Sequence, residues 1–188
     1  ELGLVGSEMC IRDSSYLMST GSAVAWNMPA RLNFLTVVPM FHCNGWCYPW
    51  TIPMLNGKTV CLRNIDIKKI FELIEEHKIT HFGGAPIVLN MITGASEKDQ
   101  KKLGHKVYVL TAGAPPPSII FKKMQALGFE VMHVYGLTET YGHILQCAWN
   151  DQWDDLDEDK QNEIKARQGV RYPNTEDVMV MDLSLIHI

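Results

Sequence analysis

Short apolar runs alternate with helix-like patterns through the interior of the chain, and that alternation leaves few folds open. The run NFLTVVP (33–39) reads as a buried strand leading into a Pro-bounded loop, and KTVCL (58–62), after the Asn56-Gly57 turn, reads as a second. An aromatic-rich, helical segment lies between them. Asp66 is placed to cap a helix in which Ile67, Ile70, Phe71 and Ile74 recur every three or four residues, while Lys68, Lys69, Glu72, Glu75 and Glu76 face water. ITHFGG then predicts a strand, PIVLNMI a helix opened by Pro86, and KVYVLTAG a strand. PPSIIFKKMQALG predicts a helix begun by Pro and ended by Gly128, and EVMHVYG one more strand. Such an order implies an α/β fold, a mainly parallel sheet flanked by helices. Ligands of these sheets bind at the loops past the carboxyl ends of the strands. Three such loops, beginning near Pro39, Ala112 and Tyr135, are rich in Gly, Pro and polar groups.

Composition narrows the partners. A net charge of -4 offers no basic field for a phosphate backbone, and no Lys/Arg stripe interleaves with aromatics, so nucleic acid is not expected. Gly, Pro, Asn and charges interrupt every apolar run before the roughly 20 residues that span a bilayer, so no membrane span is expected. Five irregularly spaced cysteines in a chain of 188 residues point to reduced thiols and the cytoplasm rather than to a disulfide framework. The two ends stand apart. The opening GLVGSEMCIRDS and the closing SLIHI resemble translated sequencing-adapter peptides, so residues 1–14 and 183–188 are expected to be non-native and 15–182 to be part of one domain. The acidic stretch NDQWDDLDED reads as a solvated, helix-capping surface, because carboxylates adjacent in sequence do not by themselves converge on a cation.

The three loops carry motifs in a recognisable order. VYGLTETYG, preceded by LTAGAPPP and VPMFHCNGW, resembles the acyl-CoA synthetase branch of the adenylate-forming, AMP-binding enzymes, which includes luciferases and peptide-synthetase adenylation domains. FHCNGW, HFGGAPIVLN and TAGAPPP look most like the subgroup handling short- and medium-chain acids, 3-methylthiopropionate:CoA ligases among them. The resemblance covers about Ser15 to Asp182 and implies part of an N-terminal domain of a ligase that joins a carboxylate to ATP and then passes the acyl group to coenzyme A. It implies that Tyr135 stacks on adenine, that Thr138 hydrogen-bonds the α-phosphate and that Glu139 helps hold Mg²⁺. The side chains suit these roles: an aromatic face for a purine, a hydroxyl for a phosphoryl oxygen, a carboxylate for a hard cation. Gly136 would allow close backbone approach. An ordinary turn with a capping Thr is the plainer reading of the same residues.

By the same resemblance Gly113, Ala114 and Pro115 form an adenine-wall segment, although a Pro run also simply starts a helix. His42 would lie beside the acyl carboxylate and thioester passage, and Trp46 would wall the acyl or pantetheine tunnel. A histidine can orient a carboxylate, but one on an apolar stretch is often only hydrogen-bonded in the core. His42, Cys43 and Cys47 also invite a zinc reading, which lacks a fourth ligand at suitable spacing. Gly83, Gly84 and Pro86 resemble the floor of an acyl pocket, with close helix-to-sheet packing as the equal alternative.

Other parts of the family pattern are not found here. The Ser/Thr/Gly-rich loop with a Lys that cradles the outer phosphates is expected upstream of Tyr16, and a ribose-binding Asp, a hinge and a small domain with a catalytic Lys beyond Asp182. The expectation is therefore an acid-thiol ligase as a full-length protein and an inactive fragment by itself. A relative with another acceptor, or a non-catalytic nucleotide- or acyl-binding module, are the alternatives.

Overall fold

The structure, a computed structural model, describes residues 2–42, 45 and 47–182, with side chains from residue 14 onward. Seven strands form one sheet in the order β2-β1-β3-β4-β5-β6-β7: β1 (Asn33–Thr36), β2 (Lys58–Cys61), β3 (His81–Gly83), β4 (Val107–Thr111), β5 (Phe129–Leu137), β6 (Gly142–Gln146) and β7 (Val170–Arg171). The first five run parallel, and β6 and β7 add an antiparallel margin. The expected α/β sheet is present, and the antiparallel margin extends it.

Helices connect the parallel strands, as crossovers between parallel neighbours require: α2 (Tyr48–Met54), α3 (Ile67–His77), α4 (Pro86–Gly94) and α5 (Ser118–Leu127), with α6 (Glu158–Lys165) between β6 and β7. A long α1 (Leu2–Ala25) precedes them. Each begins or ends where local chemistry dictates. The Asp66 carboxylate accepts from the Lys69 amide at 3.0 Å and starts α3. Pro86 stands in the first turn of α4, where the missing N–H costs nothing. Gly128 closes α5 at φ 100°, a left-handed cap that favours glycine. Asp157 likewise caps α6 by accepting from the Lys160 amide at 2.9 Å, so the acidic stretch serves as a capped surface.

Pleating splits the strand residues between two cores. Leu35, Phe82, Val107, Val109, Phe129 and Val131 face α3, α4 and α5, where Ile70, Phe71, Ile74, Leu89, Ile92 and Met124 are fully buried. Phe34, Leu110, Ala112 and Val134 face the opposite side and meet Trp26, Tyr48, Ile52 and Tyr172. No helix of the described residues is long and apolar enough to cross a membrane.

Candidate functional site

Because five strands are parallel, their carboxyl ends emerge on one edge of the sheet, and the motif residues gather there by register. Gly83 pairs with Leu110, Thr111 with His133, and the Gly84 amide donates to the Leu110 carbonyl at 2.9 Å, so the ends of β3 and β4 lie side by side, and β5 runs on past them to Leu137. Gly113 and Ala114 follow β4 after the buried Ala112 and are exposed to solvent. Gly113 takes φ 97°, and a methyl group there would meet nothing within 4 Å, which leaves open space above the strand end.

The expected loop at Tyr135 is a correction: β5 continues to Leu137 and pairs with β6 through Leu137↔Gly142. The register shifts between Tyr135 and Gly136, a bulge that re-aims the end of the strand. Tyr135 and Gly136 are therefore half-buried strand residues, and the turn that follows holds Thr138 and Glu139 exposed at its tip. Gly136 does permit a close approach, but to protein: a Cβ there would fall on the Gly142 carbonyl and against the His143 Cα. Among the described residues no ion pair engages the Glu139 carboxylate.

The turn itself is densely bonded. The Thr140 hydroxyl accepts from the Leu137 amide at 2.8 Å and lies 3.0 Å from the Leu137 carbonyl and 2.9 Å from that of Gly142. The Tyr141 amide donates to Thr138 at 3.1 Å, and Tyr141 adopts φ 53°. The Tyr141 hydroxyl pairs with the hydroxyl of Ser15 on α1. Thr140, Tyr141 and Ser15 escaped sequence reasoning because their part is to hold the backbone, which residue type alone does not announce.

On the β1 side the segment after Val38 turns back on itself, the His42 amide donating to Pro39 at 2.9 Å and the Gly45 amide to His42 at 2.7 Å. A cavity of about 20 Å³, room for about one water, is lined by Phe34, Thr36, Val38, Met40, Tyr48 and Gly83 among others. Of the residues expected at an acyl pocket, Gly83 borders this cavity. Gly84 does not; a Cβ on it would sit 3.3 Å from Leu89 and 3.5 Å from Val88, which is helix-to-sheet packing. Pro86 opens α4, and His42 is exposed and is not among the residues that line the cavity. Trp46 and Cys43 lie outside the described residues. Among the described residues no three His, Cys, Asp or Glu side chains converge as a metal site would need.

Three histidines stand on the strands, His81 on β3, His133 on β5 and His143 on β6. His81 and His143 are buried, and loss of hydration pushes each down to about 4. His81 is wedged between Tyr108 and Trp26, with ring centroids 5.0 Å away in both cases. Burial also lowers His133, partly offset by the Ala166 carbonyl 2.8 Å from its Nδ1.

Residues 11–184 match the family described as AMP-binding enzyme. Over 170 residues the chain is 45% identical to a peroxisomal acetate/butyrate–CoA ligase of Arabidopsis thaliana and to an acetate–CoA ligase of Humulus lupulus, covering 89% of this chain and 30% of each relative. The chain thus spans about a third of the length of these curated relatives. A fatty acyl CoA synthetase of Mycobacterium tuberculosis superposes with a TM-score of 0.66 at 26% identity, over 71% of this chain and 26% of that one.

Proposed function

The chain belongs to the AMP-binding enzyme family, and from that premise we propose that it carries the nucleotide side of an ATP-dependent acid:CoA ligase acting on short or medium-chain acids, 3-methylthiopropionate included. In the overall reaction a carboxylate oxygen displaces pyrophosphate from the α-phosphorus of ATP, and the thiol of coenzyme A then displaces AMP from the acyl carbon, losing its proton. The observation that supports this reading is the juxtaposition at one sheet edge of the Thr138–Glu139 tip, the ring of Tyr135 and the open strand end at Gly113. Tyr135 offers a flat face to the purine, and Gly113, Ala114 and Pro115 border it with little side-chain bulk. Thr138 donates to a phosphoryl oxygen. Glu139, exposed and outside any ion pair among the described residues, suits Mg²⁺, a cation that keeps several waters and takes one or two carboxylates. That ion, when bound, withdraws charge from the phosphates.

His42 and Trp46 are kept for the acyl and pantetheine side, with Gly83 at the acyl-pocket floor and Gly84 and Pro86 shaping the helix beside it. Residues 15–182 are assigned to this domain, and the flanking segments are given no part in the reaction. Cys61 and Cys147, neither of them in a disulfide, fit a reducing compartment such as the cytoplasm, while the Arabidopsis relative is a peroxisomal protein.

Acetate, butyrate or 3-methylthiopropionate, with ATP, Mg²⁺ and coenzyme A, is expected to give pyrophosphate and acyl-CoA in the longest protein the gene encodes. Glu139→Gln should slow that release by about 10²-fold, as loss of a charge-stabilising group does. The 188-residue chain alone is expected to be inactive. Nucleotide binding without any turnover in the longer protein would favour the non-catalytic binding module instead.

A further inference from the structure

The proposed chemistry assigns Thr138 and Glu139 but leaves the third polar residue of the same turn, Thr140, without a part. Its side chain does not point at the sheet edge where the substrates would sit. It turns inward, half-buried, and its single hydroxyl oxygen reaches three backbone groups: the Leu137 amide at 2.8 Å, the Leu137 carbonyl at 3.0 Å and the Gly142 carbonyl at 2.9 Å. The oxygen accepts from the amide, and its one proton serves either carbonyl. These groups belong to the last residue of β5 and the first of β6, so one hydroxyl joins the two strand ends across the turn.

That joint matters because the turn is otherwise difficult to hold. Tyr141 and Gly142 sit at φ 53° and 125°, and the bulge at Gly136 has already broken the regular ladder. Two backbone bonds within the turn accompany the hydroxyl, from the Thr140 amide to Leu137 at 3.3 Å and from the Tyr141 amide to Thr138 at 3.1 Å. We propose that Thr140 is a positioning residue: its hydroxyl clamps β5 to β6 and thereby fixes the direction in which Thr138 and Glu139 meet the phosphates and their metal ion. The inference rests on the ligase reading. Serine at this position would keep the clamp, while valine would keep the shape and lose it.

The test compares Thr140→Val and Thr140→Ser in the longest gene-encoded protein, with Thr140→Ala as the substitute should the valine variant not fold. Two readouts are taken: acid-dependent pyrophosphate release across a Mg²⁺ titration, and hydrogen exchange at the Leu137 amide. Valine is expected to lower kcat about tenfold and to raise the Mg²⁺ needed for half-maximal rate while KM for the acid stays put, since a misplaced group weakens the step it serves. Serine should restore both. The Leu137 amide should exchange faster in the valine variant only. Wild-type rate and Mg²⁺ dependence in the valine variant would overturn the proposal, as would a serine variant as impaired as valine. If the wild type shows no acid-dependent turnover, the ligase reading fails and with it any part for Thr140 in chemistry, and amide exchange then reports separately whether the clamp exists.

Discussion

A methyl group added at Gly136 would land on the Gly142 carbonyl, whereas one at Gly113 would meet open space at φ 97°. Both glycines belong to motifs that resemble nucleotide loops, yet they answer to different demands. Gly136→Ala must push two strands apart and is expected to destabilise by about 3 kcal/mol, the upper range for forcing atoms into a packed place. Gly113→Ala meets only the backbone penalty of a left-handed conformation, about 1–2 kcal/mol. Urea unfolding of the two variants checks the order, and equal losses would contradict it. A ligand contact alone at Gly136 would cost nothing in the unliganded protein, so the same experiment separates the two reasons for glycine.

Element by element, the helices announce themselves. The capping carboxylate of Asp66, the spacing of Ile70, Phe71 and Ile74 and the cap at Gly128 are all local signals, and each lies where it was read. Asp66→Ala should lower stability by about 1 kcal/mol through the lost cap, and Ile74→Ala, at a fully buried position, by about 2–5 kcal/mol. Denaturant midpoints of both variants check that ranking. The parallel strands were legible for the same reason, being apolar runs bounded by turns. Strand β6 was not: GHILQ is short, carries a buried His143 and Gln146, and gains its place by pairing with β5 and β7. The site was legible as a set of residue types at strand ends. Its detail was not, because the bulge at Tyr135, the clamp at Thr140 and the packing duty of Gly84 depend on what lies across the sheet.

For the molecule as a whole, the buried histidines set the response to acid. His81 and His143 titrate near 4 in the folded chain and near 6.5 when unfolded, so between those values the unfolded state binds more protons. Stability is therefore full above about pH 6.5 and declines as pH falls toward 4. Urea midpoints at pH 7.5, 6.0 and 5.0 should decrease in that order, and replacing His81 by Phe should flatten the decline; an unchanged slope would show that other groups govern it. The sheet has a second molecule-wide property, in the sequence distance its pairings must close. Phe34 reaches His81 across an intervening helix, strand and further helix, and every other parallel pair likewise spans a crossover. The turn bearing Thr138 and Glu139 joins adjacent antiparallel strands, so its loop-closure entropy is the smallest in the sheet. The tip bearing Thr138 and Glu139 thus belongs to the segment that can close on itself most readily, while the platform on which it stands is assembled from the most distant parts of the chain.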